Sequence, residues 1–149
     1  MHPMPLGILS RKEDGFSTER LISIAKSRLE RGSYGALITF VGTVRGTSRD
    51  GSKVTQLEYE VYEESAREVI QRIAEEVSKM DGILDVIICH RYGSFEPGEE
   101  VLFVAVASER SSSGFEALRS AVTKVKHEVP IWKKESTTGG SRWVDVDGV

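Results

Sequence analysis

The chain has few residues that form covalent or metal cross-links, because its 149 residues include one cysteine and three histidines. One cysteine excludes an intramolecular disulfide and a metal site built from cysteines alone. The histidines, His2, His90 and His127, do not have the spacing of metal ligands, so we expect no metal. Cys89 lies in an apolar run, where a cysteine usually acts as a small buried hydrophobic side chain.

A basic excess and a long apolar segment are also missing. The net charge of -3 argues against general binding to a nucleic-acid backbone, although it allows a local basic pocket. There is no run of about 18 or more apolar residues, and the first residues lack the charged-then-apolar pattern of a leader. We therefore expect a cytoplasmic protein in which residues 1–149 form one domain.

The hydrophobic pattern changes along the chain between strand-like and helical segments. Short apolar or alternating runs predict strands, and apolar residues at every third or fourth position predict helices. The predicted elements are a strand at 6–9, a helix from 17 to about 32, a central strand at 35–45, a strand at 54–62, a helix at 63–80, a strand at 83–92, a turn at 93–98, a strand at 100–107, a helix at 115–129 and a hairpin at 131–146. This order predicts an α+β fold, a two-layer sandwich with a mixed sheet.

The third predicted helix has an apolar face that we expect to point inward. Its members are Phe115, Leu118, Val122, Val125 and Val129. They recur at helical spacing, which is typical of a helix packed on a sheet.

The most informative stretch follows that helix. Lys126 and Lys133 lie on either side of Pro130, next to the apolar pair Ile131 and Trp132. If that pair is buried, the neighbouring lysine is partly desolvated, and desolvation lowers the pKa of an ammonium group. Such a lysine is a candidate nucleophile, proton carrier or anion-binding group. The alternative is an ordinary helix that ends in lysines because cations suit its C-terminus.

Arginines recur at the ends of predicted strands. Arg45, Arg91 and Arg110 each follow an apolar run. Anionic ligands often bind at the loops that follow strands, and arginine suits them. Considered singly, each of the three is more simply explained as a solvated end of a strand.

Three further features have two readings each. Serines 111–113 precede the third predicted helix and indicate either an anion-binding site at its N-terminus or N-cap residues alone. His90 is either an acid–base group or a structural histidine, and Arg142 either covers a pocket or ends a strand. Lysines and arginines without a carboxylate pair favour an anionic, for example phosphorylated, substrate and lysine chemistry without a metal. The reaction itself does not follow from these residue types.

Five stretches together resemble the catalytic (large) subunit of molybdopterin synthase. They are residues 35–45, which end in Phe-Val-Gly-Thr-Val-Arg, residues 57–62, residues 90–93 with 98–99, residues 126–135, and Arg142-Trp143. They occur in the order of that family and span most of the chain. The pattern Lys-x3-Pro-x-Trp-Lys-x-Glu, followed downstream by Arg-Trp, is specific.

The resemblance implies an α/β hammerhead fold with a small additional β-subdomain. It implies a homodimer within a heterotetramer, in which each large subunit binds a small ubiquitin-like sulfur-carrier subunit. The C-terminal Gly-Gly thiocarboxylate of that partner would donate sulfur to cyclic pyranopterin monophosphate, and two transfers would make the dithiolene of molybdopterin. No cofactor, nucleic acid or membrane is implied.

On this template Lys126 and Lys133 match the two functional lysines of the family. Lys126 would transfer a proton and bind the thiocarboxylate tail, while Lys133 would orient the substrate and stabilise charge. Arg45 would hold phosphate or pterin. The other substrate-binding candidates are His90, Arg91, Arg110 and Arg142.

One position departs from the family pattern. The family usually has His-Arg before the third helix, a pair that reaches into the neighbouring subunit's pocket, whereas this chain has Glu109-Arg110. A glutamate in a phosphate pocket repels the ligand unless an arginine pairs with it. The two lysines favour a sulfur-transfer enzyme. Glu109 favours a catalytically weakened binding module that keeps the ubiquitin-like partner or the pterin-phosphate site.

Overall fold

A computed structural model describes residues 2–144. Its elements are β1 (Leu6–Arg11), a short 3-10 helix (Lys12–Asp14), α1 (Thr18–Ser27), β2 (Ala36–Thr43), β3 (Val54–Val61), α2 (Glu63–Ser78), β4 (Ile83–Phe95), β5 (Glu100–Ser108), α3 (Ser111–Glu128), β6 (Ile131–Thr137) and β7 (Gly140–Val144). None of these helices is long and apolar enough to cross a membrane.

The seven strands form one mixed sheet in which the long strand β4 belongs to two halves. In the first half β2, β5, β4 and β1 lie side by side, with β1 parallel to β4 and the other pairs antiparallel. In the second half the last residues of β4 pair with β3, and the sheet continues to β6 and β7. The predicted α+β fold with a mixed sheet is confirmed, and β3, β6 and β7 form the expected smaller β-subdomain.

The core lies on both faces of β4 and β5. Residues such as Ile88 and Val104 pack against α2 and α3, whereas Ile87, Cys89 and Phe103 pack on the opposite face against α1. Because both faces are covered, these two strands are apolar at nearly every position. Burial raises the pKa of the Cys89 thiol to about 11, so this side chain acts as the small buried hydrophobic group that its apolar run predicts.

The predicted central position of the strand at 35–45 is wrong. Within residues 2–144, β2 pairs with β5 alone and forms an edge of the sheet. Phe40 packs with the α2–α3 cluster, while Leu37 and Val41 pack with the α1 cluster. An edge strand with apolar contacts on both faces has the same apolar sequence as a central strand, and for this reason the pattern does not distinguish them.

The predicted turn at 93–98 is shorter than expected. β4 continues to Phe95, whose side chain is fully buried and which lies opposite Leu57 of β3. Gly93 has a φ of 122°, a conformation that favours glycine, and it lies where β4 changes its partner from β5 to β3. This glycine therefore bends a strand instead of ending it.

The third helix begins at Ser111, four residues before the predicted start, so serines 111–113 form its first turn. The inward position predicted for Phe115 is wrong, because this side chain is 62% exposed. The buried face consists of Gly114, Ala117, Ala121 and Val125. A Cβ atom at Gly114 would lie 2.6 Å from the Ser108 hydroxyl, so small residues allow this helix to lie close to the sheet.

Other boundaries agree with the sequence pattern. Ser17 caps α1 by accepting a hydrogen bond from the Arg20 backbone N–H, although α1 ends at Ser27, before the predicted Gly32. The predicted hairpin is present as β6 and β7. Its last two predicted positions, residues 145 and 146, lie outside the described residues.

Candidate active site

A cavity of about 530 Å³ lies between the end of α3, the start of β6 and the strands β2 to β5. Four predicted site residues line it: Arg45, His90, Lys126 and Lys133. Most of the remaining wall is apolar or aromatic, from Phe40, Val41, Tyr59, Val101, Leu102, Val125, Ile131, Trp132 and Val144. A mainly apolar pocket with a few convergent polar groups is typical of a small-molecule site.

The chain brings the two lysines together by a local reversal. Lys126 lies in the last turn of α3, and Val129 has left the helical conformation. Pro130 stops the helix, because the residue before a proline is biased away from helical dihedral angles. β6 then starts at Ile131 and returns along β3, which places Lys133 on the wall of the same cavity.

Burial lowers the pKa of the Lys133 ammonium from 10.5 to about 8. Burial is the largest cause of this shift, the charge of Lys126 contributes to it, and the charge of Glu135 opposes it. The desolvation does not come from a buried Ile-Trp pair, because Trp132 is 45% exposed. Lys133 lies opposite the buried Tyr59 of β3, and this position partly buries its side chain.

Glu135 raises the pKa of Lys133, but the positive charges of the cavity form no ion pair in the described part of the chain. None of the ion pairs found there includes Arg45, Lys126 or Lys133. In an apolar surrounding, cations that form no ion pair attract anionic ligands strongly. The cavity is therefore suited to a phosphate, carboxylate or thiocarboxylate group.

Arg45 lies in the loop after β2, and backbone hydrogen bonds hold this loop on both sides. Val44 donates to the Glu99 carbonyl at 3.0 Å and accepts from Gly98 at 2.8 Å. On the other side, Val54 donates to the Gly46 carbonyl at 2.9 Å. The backbone of Arg45 is thus fixed at the cavity wall, while its guanidinium is free of ion pairs within residues 2–144.

His90 contributes an uncharged imidazole to the cavity. Its Nδ1 lies 2.7 Å from the Arg91 carbonyl oxygen, which only accepts hydrogen bonds, so Nδ1 carries the proton and Nε2 is an acceptor. Burial lowers the pKa of His90 to about 4, and the charge of Lys133 adds to this effect. At neutral pH the ring does not hold a phosphate by charge, but it is able to accept a hydrogen bond.

Arg91 lies away from the cavity, in the interior of the fold. Its guanidinium donates to the Glu100 carbonyl at 2.7 Å and to the Lys12 carbonyl at 3.0 Å. It also packs between the rings of Phe16 and Phe95, at 4.8 Å and 4.9 Å from their centroids. These contacts join β4, β5 and the turn after β1, and so Arg91 has a structural position in this chain.

Arg142 also lies outside the cavity. It donates to the Ser48 hydroxyl at 2.6 Å and pairs with Glu135 at 3.5 Å and with Asp50 at 3.7 Å. Ser48 in turn donates to buried Glu135 at 2.6 Å. This network ties the loop that carries Arg45 to the β6–β7 hairpin.

Arg110 is exposed and lies at the opposite end of α3 from the cavity. A rise of about 1.5 Å per residue separates the backbones of Arg110 and Lys126 by about 24 Å along the helix axis. Glu109 precedes Arg110 and is likewise exposed at that end. Neither residue reaches the cavity of its own chain.

Tyr59 is a cavity residue that the sequence reasoning did not single out as functional. It lies on the buried face of β3 and is 5% exposed. Its place opposite Lys133 depends on the pairing of β3 with β6, which the pattern of either strand alone does not show. Among residues 2–144, no group of three or more His, Cys, Asp or Glu side chains is placed to hold a metal ion.

Comparison with known proteins identifies the family. The family described as MoaE protein matches residues 12–128, so the chain belongs to the MoaE family. The molybdopterin synthase catalytic subunit of Thermoplasma volcanium is 41% identical over 115 residues, which cover 77% of this chain and 83% of that protein. The protein of the same name from Pyrococcus abyssi is 36% identical over 139 residues, 93% of this chain and 90% of the relative.

A solved structure supports the same relationship. Molybdopterin synthase from Staphylococcus aureus aligns with a TM-score of 0.80 and 29% identity. The alignment covers 95% of this chain and 98% of that one, so the likeness extends over both halves of the sheet.

Proposed function

We propose that this chain is a molybdopterin synthase catalytic subunit. It would transfer sulfur from the C-terminal thiocarboxylate of a small ubiquitin-like subunit to cyclic pyranopterin monophosphate. The observation that carries the proposal is one mainly apolar cavity lined by Lys126, Lys133 and Arg45, none of which forms an ion pair in the described part of the chain. Membership of the MoaE family and the names of the relatives support it.

The cavity fits the demands of this reaction. Each transfer exchanges a carbon–oxygen bond of the substrate for a carbon–sulfur bond, and the carrier's thiocarboxylate becomes a carboxylate. The thiocarboxylate and the substrate's phosphate are both anionic, and opening of the cyclic phosphate develops further negative charge. Fixed cations in a partly dry pocket stabilise such charge without reorganisation of solvent.

Each lysine has a separate role in the proposal. Lys126, at the end of α3, binds the incoming thiocarboxylate tail and transfers a proton. Lys133 orients the substrate and stabilises developing charge. Its pKa of about 8 keeps it mostly protonated at neutral pH, yet close enough to release a proton in the reaction.

Two other cavity residues act on the substrate. Arg45 holds the phosphate, because a guanidinium stays charged at any physiological pH and forms paired hydrogen bonds with phosphate oxygens. His90 accepts a hydrogen bond from a pterin N–H at its Nε2 atom, since burial keeps the ring neutral.

The proposed active form is a homodimer of this chain, with each copy bound to one small subunit. The position of Arg110 supports this assembly, because it is too far along α3 to serve the cavity of its own chain. The proposed compartment is the cytoplasm, where reducing conditions protect a thiocarboxylate sulfur from oxidation. Nucleic acid and membrane have no part in the proposal.

A catalytically weakened binding module is the second candidate, and Glu109 is the observation that favours it. Glu109 is exposed beside Arg110. In the family, the pair at this position is expected to reach into the pocket of a neighbouring subunit. A carboxylate brought there would repel the substrate phosphate unless Arg110 neutralises it.

The test is a reaction of the purified protein with cyclic pyranopterin monophosphate and the thiocarboxylated small subunit. Dithiolene product and conversion of the carrier to its carboxylate form support the enzyme. A protein that binds the carrier but forms no product contradicts it and favours the binding module. Glu109→His then separates the causes, because recovered turnover would identify Glu109 as the defect.

A further inference from the structure

Tyr59 lies on the face of the β-subdomain that lines the cavity. It lies directly opposite Lys133 on β6, and on its other side it lies opposite Gly93 on β4. Lys133 is in turn opposite Val144 on β7. Residues directly opposite in antiparallel strands share a face of the sheet, so Tyr59, Lys133 and Val144 all face the cavity.

The Tyr59 ring is fixed by its neighbours. His90 lies 5.3 Å from it between ring centroids at an interplanar angle of 74°, and Phe95 lies 6.0 Å away at 71°. Both are edge-to-face arrangements, which aromatic pairs favour. Because Phe95 and His90 are themselves buried, the ring has little freedom to turn.

The ring meets the ammonium of Lys133. Lys133 Nζ lies 5.6 Å from the centroid of the Tyr59 ring, within the range of a cation–π interaction. The ion pairs of residues 2–144 include no carboxylate bonded to Lys133. A lysine side chain has four rotatable bonds and is flexible unless a contact restrains it. The contact with the Tyr59 ring restrains the side chain of Lys133.

We propose that Tyr59 is a positioning residue for Lys133: its ring holds the Lys133 ammonium at the cavity wall, in the orientation in which it meets the substrate. This inference rests on the proposed function, since the catalytic role of Lys133 belongs to that proposal. Tyr59 acts through Lys133 and is not itself a reacting group.

The ring, not the hydroxyl, performs this role. Burial is the one cause that raises the pKa of the Tyr59 phenol, so the hydroxyl stays protonated and takes no part in a charged hydrogen bond. Tyr59→Phe keeps the ring and its contacts with His90 and Phe95. Tyr59→Leu keeps an apolar side chain on the buried face but removes the aromatic surface.

A double-mutant cycle tests the positioning role. Single-turnover rates with carrier and substrate are measured for wild type, Tyr59→Leu, Lys133→Ala and the double variant, with Tyr59→Phe as the control. We expect Tyr59→Leu to lower the rate roughly tenfold when Lys133 is present, with little change in KM. In the Lys133→Ala background we expect less than about a twofold effect, and Tyr59→Phe should stay within about twofold of wild type.

Two results of the cycle overturn the inference. Equal losses from Tyr59→Leu in both backgrounds indicate that Tyr59 supports the fold and not Lys133. A loss in Tyr59→Phe as large as in Tyr59→Leu assigns the effect to the hydroxyl. Thermal unfolding of each variant, compared with its rate, identifies any loss that follows from unfolding alone.

A spectroscopic measurement tests the geometry without turnover. Protein labelled with ¹³C-lysine is observed by NMR, and the Lys133 signal is identified by its loss in Lys133→Arg. Protons over the face of an aromatic ring are shifted upfield by the ring current, so the Lys133 ε-methylene should be shifted in wild type and Tyr59→Phe. An ε-methylene at the position of exposed lysines in wild type overturns the inference. A shifted signal in a protein without turnover contradicts the proposed function and leaves the Tyr59–Lys133 contact standing.

Discussion

The charge of Lys126 lowers the pKa of Lys133, so the two ammonium groups act on each other across one cavity. They come from different elements: Lys126 lies in the last turn of α3, and Lys133 is the third residue of β6. Two lysines that line one cavity, where the charge of Lys126 lowers the pKa of the half-buried Lys133, are more typical of an anion-binding or catalytic site than of structural stabilisation.

Removal of the Lys126 charge should raise the pKa of Lys133 above about 8. The reason is that a neighbouring positive charge disfavours the protonated ammonium. The ε-carbon signal of Lys133 in ¹³C-lysine NMR reports this titration in wild type and Lys126→Ala. Lys124→Ala is the matched control, since Lys124 pairs with Glu76 and Glu128 on the outer side of α3. An unchanged Lys133 titration in Lys126→Ala would show that the two lysines do not interact.

Neutralisation of Glu135 should move the same pKa in the opposite direction. Glu135 raises the pKa of Lys133, and so Glu135→Gln should lower it while a side-chain oxygen remains to accept from Ser48. The titration of Lys133 again provides the measurement. Glu58→Gln, on the opposite face of β3, should leave it unchanged. A pKa that rises in Glu135→Gln contradicts this assignment.

Buried His90 should make the protein less stable in mild acid. Its pKa is lowered from 6.5 to about 4 by burial, so the unfolded chain binds this proton more readily than the folded one. The stabilisation is complete above pH 6.5 and is lost as the pH falls towards 4, by on the order of 3 kcal/mol in total.

Urea unfolding at pH 7 and pH 5 measures this effect. The free energy of unfolding should fall more between these pH values in wild type than in His90→Gln. His127→Gln is the control, because His127 is exposed on the last turn of α3 and should behave like wild type. Equal falls in wild type and His90→Gln would show that His90 is not buried as a neutral ring.

Arg91→Lys should destabilise the fold without altering the cavity. A lysine has one nitrogen and does not reproduce the two hydrogen bonds to the Glu100 and Lys12 carbonyls or the stacking between two phenylalanines. We expect a loss of about 2–4 kcal/mol in the free energy of unfolding. Exposed Arg110→Lys should cost less than about 0.5 kcal/mol. A stable Arg91→Lys protein with impaired substrate binding would contradict the structural role and indicate that Arg91 binds substrate.

The sequence predicts the lysine pair well because its information is local. A helix end, Pro130 and an alternating strand determine within a few residues that Lys126 and Lys133 approach each other. The arginines depend on long-range packing instead. Arg45 and Arg91 both follow apolar runs, yet one lines the cavity and the other is enclosed by Phe16 and Phe95.

The errors in the fold have the same origin. The face that α3 buries is built from Gly114, Ala117 and Ala121, and hydrophobicity favours the larger Phe115, which is exposed. β2 is apolar because its side chains contact the helix-packed clusters on both faces, although none of its residues is fully buried, and its own sequence does not contain these contacts. Tyr59 is recognisable as a buried residue, but its role depends on which residue lies opposite it.

The most direct test of the account compares two adjacent lysines of β6. Lys133 faces the cavity, whereas Lys134 lies over the exposed ring of Trp143 on the other face, 5.8 Å from its centroid. Dithiolene formation is measured for wild type, Lys133→Ala and Lys134→Ala with substrate and thiocarboxylated carrier. Loss of a main electrostatic donor should slow Lys133→Ala by about 2–4 kcal/mol in transition-state stabilisation, while Lys134→Ala keeps near-normal turnover. Near-normal turnover in Lys133→Ala, or equal losses in both variants, would contradict a catalytic site in this cavity.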